Sequence, residues 1–156
     1  MSESDAGTCP DPRRRGVLRA GGVLVALALA RPALADANEL QAAIAAYTGG
    51  REAKPGRVTI DVARLVDNGN AVPVTVRVES PMSTADHVRA IALFNERNPQ
   101  SDVLRVDFGP RAATRRVSTR IRLATSQQLV AVARLADGSC WSQRVEVVVT
   151  LAACIE

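Results

Sequence analysis

The sequence predicts a mainly β fold, about seven strands in two sheets packed face to face, preceded by one short helix. Three observations carry the prediction. Apolar and polar residues alternate with a period of two over much of the chain beyond Val58. Clusters of turn residues interrupt it about every 8 to 14 residues. One stretch alone, Asn38 to Tyr47, has helical spacing, with Leu40, Ile44 and Tyr47 on one side.

The helix is expected to start at Asn38, a good N-cap, and to stop at Gly49-Gly50. Val58 to Val62 is the first strand, followed by the turn cluster Asp67-Asn68-Gly69-Asn70. Val72, Val74, Val76 and Val78 alternate with Pro73, Thr75, Arg77 and Glu79, as in a half-buried strand. Pro73 cannot donate to a ladder, which places it at an edge or at the strand's first residues. Ser80-Pro81-Met82 breaks the run, Val88 to Phe94 forms the third strand, and Val103 to Phe108 the fourth. In Val117 to Leu123 the odd positions face inward and Ser118, Arg120 and Arg122 outward. Leu129 to Leu135 is more uniformly apolar, as an inner strand is. Asp137-Gly138 is a hairpin signal, and residues 141 to 151 form the last strand. On it Trp141, Val145, Val147, Val149 and Leu151 share one face, while Cys140, Ser142, Arg144, Glu146 and Thr150 share the more polar one. This spacing is that of an immunoglobulin-like β-sandwich without bridging cysteines.

The first 35 residues read as a leader. Arg13-Arg14-Arg15 and Gly16-Val17-Leu18-Arg19 precede an apolar run from Ala20 to Ala30, and Ala33-Leu34-Ala35 is an A-x-A cleavage pattern. At 11 residues the run is short of the ~20 that a membrane span needs. The paired arginines resemble a twin-arginine export signal, with Arg13 standing where Ser or Thr is usual. The expected organisation is therefore a removed leader (1–35), a sandwich domain (36–151) and a C-terminal arm (152–156) in the periplasm, with no membrane attachment after cleavage. Five of the 20 basic and three of the 16 acidic residues belong to the leader, so the remainder carries +2. That weak balance, with two Phe, one Tyr and one Trp, gives no case for nucleic-acid binding.

Cys9 leaves with the leader, and Cys140 and Cys154 remain. A disulfide is the default for two cysteines in an oxidising compartment. Residues 141 to 151, however, read as one strand, which would set the two sulfurs roughly 40 Å apart, against the ~7 Å that a bridge allows between Cα atoms. Cys140, at the turn, is expected to be an ordinary small residue. Cys154, in the tail Ala152-Ala153-Cys154-Ile155-Glu156, has no sequence beyond it to tie it down, and is the accessible nucleophile. Glu156 and the terminal carboxylate disfavour its thiolate, so the free thiol is expected to react slowly until a cationic partner site closes over it.

Other chemistries lack their residues. With a single His, His87, and no paired-cysteine motif, no metal site is expected. Ser83, Asp86 and His87 have the letters of a hydrolytic triad but share one loop, whereas triad members normally converge from distant segments. No glycine-rich phosphate loop is present. Arg111, Arg115, Arg116, Arg120 and Arg122 form either a solvated sheet face or a docking patch for an acidic partner.

Several motifs in order resemble a known family. They are Asp67-Asn68-Gly69-Asn70-Ala71-Val72-Pro73, Glu79-Ser80-Pro81-Met82, Phe94-Asn95-Glu96-Arg97-Asn98-Pro99, Gly109-Pro110-Arg111, Thr119-Arg120-Ile121-Arg122-Leu123-Ala124 and Asp137-Gly138-Ser139-Cys140-Trp141. Together they resemble SoxY, the sulfur-carrier protein of bacterial thiosulfate oxidation. The resemblance implies an immunoglobulin-like sandwich, twin-arginine export, a heterodimer with a SoxZ-like subunit, and no cofactor. It also implies sulfur intermediates carried covalently on a cysteine of a flexible C-terminal arm and processed there by partner enzymes. The usual arm is Gly-Gly-Cys-Gly-Gly; the tail here is similar instead to the SoxY-related group with an AACIE arm. Cys154 is the position carried over as the sulfur attachment site, with Ala152, Ala153, Ile155 and Glu156 as the arm. Ala and Ile restrict the backbone more than glycine does, which shortens the arm's reach and leaves the cargo open. The rival readings are an exported protein-binding module without covalent chemistry and a thiol oxidoreductase. The latter lacks a resolving cysteine near Cys154.

Overall fold

The two most apolar strands are also the two that are covered on both faces. The computed structural model describes residues 31–109, 112 and 114–151, the side chains of 31–37 and 151 excepted. Among these lie one helix, α1 (Arg31–Thr48), and nine strands: β1 (Ala53–Pro55), β2 (Val58–Asp61), β3 (Leu65–Asn68), β4 (Val72–Val78), β5 (Val88–Asn95), β6 (Asp102–Asp107), β7 (Arg116–Ile121), β8 (Gln127–Leu135) and β9 (Cys140–Leu151). All nine strands belong to the unit Asp36–Glu156, which the following paragraphs concern.

One sheet has the order β1-β9-β8-β5-β6, with β3 added beside β9; the other has the order β2-β4-β7. The expected mainly β sandwich is what forms. Its core lies between the sheets, where Val72, Val74, Val76 and Val78 of β4 meet Ile91 and Leu93 of β5 and Leu129, Ala131, Ala133 and Leu135 of β8. A second core lies on the outer side of the large sheet, where Leu40, Ile44 and Tyr47 of α1 cover Ala90, Ala92, Phe94, Val130 and Val132. Hence β5 and β8 read as continuous apolar runs: their odd and even positions fill different cores. Phe94 is fully buried and meets the Tyr47 ring edge-on at 5.7 Å, so truncating it to Ala costs about 3–5 kcal/mol.

Alternation predicts β4 and β7 well. Val72 to Val78 is buried at every even position, and Pro73 lies at the strand's second residue, outside the stretch paired with β2. The Asp137-Gly138 turn closes as expected: Gly138 takes φ +81°, and Asp137 Oδ1 accepts from the Ser139 N–H at 2.8 Å. Gly49 and Gly50 end α1 with φ of +65° and +77°, and the Gly50 N–H donates to the Ala45 carbonyl at 2.9 Å. That bond is the outer one of a Schellman cap.

The structure corrects three expectations. Asn38 is not the N-cap, because α1 runs back to Arg31. Ala33, Leu34, Ala35 and Ala37 are good helix formers, and Pro32 falls in the first turn, where its missing N–H costs nothing. There are two more strands than the expected seven, since β1 and β3 both pair in parallel with β9, at Cys140 to Ser142 and at Val148 to Leu151. Asp67 and Asn68 accordingly end β3, and the turn proper begins where Asn68 Oδ1 accepts from the Asn70 N–H at 2.9 Å.

Candidate functional site

The sequence points to a cysteine three residues beyond β9, and the structure shows how that strand is held. Along Cys140 to Val147 it pairs with β8. From Val148 to Leu151 that support ends and β3 takes over on the other flank, with Leu65 opposite Val148, Val66 opposite Val149 and Asn68 opposite Leu151. Ser126 substitutes for the lost neighbour. Its hydroxyl accepts from the Val149 N–H at 2.9 Å and reaches the Val149 carbonyl at 3.4 Å. Thr150 Oγ1 donates to the Asp67 carbonyl at 3.1 Å. Up to Leu151 the end of β9 is thus held by pairing with β3, by Ser126 from the loop before β8 and by its own Thr150 side chain on β3.

The loop that carries Ser126 is itself tied to the loop after β5. Asn98 Oδ1 accepts from the Ala124 N–H at 3.0 Å and from Gln127 Nε2 at 2.8 Å, while Asn98 Nδ2 donates to the Arg122 carbonyl at 2.8 Å. Gln127 is buried and its Oε1 accepts from the Arg97 N–H at 2.9 Å. This amide knot holds the loop that carries Ser126. Nothing in the local sequence marks Asn98, Ser126 or Gln127 as important, because their partners are backbone groups from other loops. Beside the same strand end, Leu65 and Val148 form an exposed apolar pair, 63% and 45% accessible.

Cys154 and its companions Ala152, Ala153, Ile155 and Glu156 lie outside the described residues. Their tether is nevertheless bounded. The 12 residues of β9 extend ~36 Å, and the three residues from Leu151 to Cys154 span at most ~11 Å. The Cα atoms of Cys140 and Cys154 thus stay at least ~25 Å apart, far beyond the ~7 Å limit for a disulfide.

Cys140 has the predicted facing on β9, but that end of the face is not polar. The thiol is buried, only 3% exposed. Its strand is flanked by Ala53 of β1 and Arg134 of β8. Burial pushes the thiol's pKa up, against the weaker pull of the Arg51 and Arg134 guanidiniums, which disfavours the reactive thiolate form.

The remaining candidates separate. Arg57 Nη2 donates to both carboxylate oxygens of Asp86, at 2.9 and 2.8 Å, while Arg57 Nε donates to the Glu79 carbonyl at 2.9 Å. His87 Nδ1 faces the Ser83 and Thr84 carbonyls at 3.2 and 3.1 Å, and Ser83 Oγ accepts from the Asp86 N–H at 3.1 Å. The three letters of the triad therefore each serve the loop's own backbone or Arg57. Among the described residues no group of three or more His, Cys, Asp and Glu comes together. Arg111 lies outside the described residues, whereas Arg115, Arg116, Arg120 and Arg122 are all exposed. Arg116 stands directly opposite Arg77 across β4 and β7, a like-charge pair on an open sheet face.

A family model described as "Sulfur oxidation protein SoxY" matches residues 44–154, from α1 through Cys154. The chain belongs to the SoxY family. No curated protein matches this SoxY-family chain. Among solved structures it is similar to a superoxide reductase (neelaredoxin) from Ignicoccus hospitalis, with 26% identity and a TM-score of 0.53 over 60% of this chain and 80% of the other. It is also similar to a superoxide reductase from Nanoarchaeum equitans, with 14% identity and a TM-score of 0.52 over 62% of this chain and 100% of the other. The second likeness is one of fold alone.

Proposed function

We propose that this SoxY-family protein is a periplasmic sulfur carrier, in which Cys154 holds sulfur intermediates covalently for partner enzymes of thiosulfate-type oxidation. The observation that carries the reading is the contrast between the pinned strand end and the thiol beyond it. Leu151 is paired with β3 and Val149 is held by Ser126, and Cys154 follows Leu151 three residues later. A carrier needs this arrangement, because a rigid root sets where the arm starts and a short tether lets the sulfur enter a narrow active site. The reach is about 10 Å beyond the sheet. The family match extends through that cysteine and so supports the assignment.

The chemistry is simple to balance. Joining Cys154 Sγ to a sulfur of the cargo forms an S–S bond and releases two electrons, which a partner oxidoreductase must accept. The protein supplies the thiolate and the handle, and the enzymes act on the adduct. Glu156 beside the thiol keeps it slow until a cationic partner site stabilises the thiolate. The exposed Leu65–Val148 pair at the arm's root gives such an enzyme an apolar foothold. A SoxZ-like subunit is the expected companion, and the exposed arginines Arg115, Arg116, Arg120 and Arg122, with Arg77 opposite Arg116, form the surface we assign to an acidic partner. Export by the twin-arginine route follows from the leader motif.

Intact-mass spectrometry of protein purified from its host without reductant tests the reading. Discrete additions of sulfur or of sulfur-oxyanion mass on the C-terminal peptide, absent in Cys154→Ser, are expected. If Cys154→Ser supports sulfur oxidation in the host as well as the parent does, the chain is a non-covalent binding module instead.

A further inference from the structure

At the end of the large sheet away from Leu151, three guanidiniums converge on one cavity of about 340 Å³, lined by Arg51, Arg89, Asp107, Phe108, Arg134, Leu135 and Gly138. That volume is at the small end of the ~300–1,000 Å³ range of ligand pockets. Three arginines against one carboxylate leave the lining at +2. The carboxylate is a poor neutraliser, since Asp107 is 81% exposed and 3.6 Å from Arg134, where water screens the pair.

Two of the three cations are held in place. Arg51 Nη1 donates to the Gly138 carbonyl at 2.7 Å. Gly138 has to be glycine for this: its φ is +81°, and a Cβ there would come within 2.5 Å of the same nitrogen. The Arg134 guanidinium carbon lies over the Tyr47 ring, 4.7 Å from its centre, a cation–π contact that helps to hold it. Arg89 makes no ion pair among the described residues. Like charges gathered around one small concavity repel each other, and a bound anion relieves that repulsion.

We propose that this cavity binds a small tetrahedral oxyanion of the sulfate, thiosulfate or phosphate class, held by Arg51, Arg89 and Arg134 over the apolar wall of Phe108 and Leu135. Arginine suits such a ligand because its planar fork presents paired N–H donors to two oxygens at once. The site is independent of the carrier reading, for it lies at the opposite end of β9 from the arm. A free oxyanion and a cysteine-bound sulfur are thus held at separate places.

The test is calorimetric titration of the full-length protein with sodium sulfate, thiosulfate and phosphate, each against sodium chloride at matched ionic strength. At least one oxyanion is expected to bind saturably at a single site while chloride does not, and the ranking of the three identifies the source. Losing a charge-assisted donor weakens binding about tenfold or more, which is expected of Arg89→Gln and Arg51→Gln. Arg120→Gln, on the outer face of the other sheet, keeps parental affinity. Arg89 touches neither the Tyr47 ring nor the Gly138 turn in any described contact, so Arg89→Gln reports on binding even if Arg134→Gln is unstable. Oxyanion heats indistinguishable from chloride, or an Arg89→Gln variant binding as tightly as the parent, would overturn the proposal.

Discussion

The two ends of β9 lead to Cys140 and Cys154, and the fold treats those ends in opposite ways. At its head the strand has a neighbour on each side, Ala53 of β1 and Arg134 of β8, and Cys140 is enclosed there close to Arg51. At its tail β8 has ended, a single four-residue strand and one serine hold the backbone, and the cysteine comes three residues later. At the head, those supports bury the cysteine. On the proposed function, placement rather than residue type is what would set the carrier thiol apart.

Breaking the tail is expected to have the largest effect. Cys154→Ser should abolish adduct formation entirely, while Cys140→Ala keeps it and costs only ~1 kcal/mol of stability, the scale of a small core truncation. Mass spectrometry and chemical denaturation read the two outcomes. Next comes the amide knot. Gln127→Ala leaves the Arg97 N–H and Asn98 Oδ1 each short of a partner, and the loss should be about 2–3 kcal/mol by urea denaturation.

At the head, pH sharpens the contrast. Burial raises the Tyr47 hydroxyl to about 12 from an ordinary 10.0, opposed by Arg134. A group whose folded-state value is raised contributes stability that is complete below pH 10 and lost as pH climbs towards 12. That loss should be about 2 kcal/mol and absent from Tyr47→Phe. Tyr47 is the single tyrosine of the chain, so tyrosinate absorbance follows it directly. The smallest effect is expected at Ser126→Ala. It should cost ~1 kcal/mol and speed amide exchange at Val149, loosening the arm's root without touching the thiol.

Much of the sandwich was legible in the sequence because alternation and burial have the same cause. The valines of β4 and the turn at Asp137-Gly138 follow from local rules alone. β1 and β3 do not, since three or four residues show no period and their pairing is decided by β9, some 80 residues away. The start of α1 was missed because Asn38 resembles a cap, while the alanines before it prefer to stay helical. For Cys140 the parity of the strand was readable but its cover was not. That cover comes from the segment after α1 and from β8, which the sequence near Cys140 does not mention. The proposed arm rests on the sequence alone, through Cys154, whereas the strand end that precedes it was not legible there. Ser126, Asn98 and Gln127 act through backbone groups that only the fold brings to them.

Differential alkylation with peptide mapping tests the central claim most directly. Native protein, freshly reduced and then treated with an excess of iodoacetamide at pH 8, should take up a label on Cys154 while Cys140 stays unlabelled until denaturant is added. Labelling of Cys140 at a comparable rate, or a native Cys154 that resists the reagent, would contradict the account.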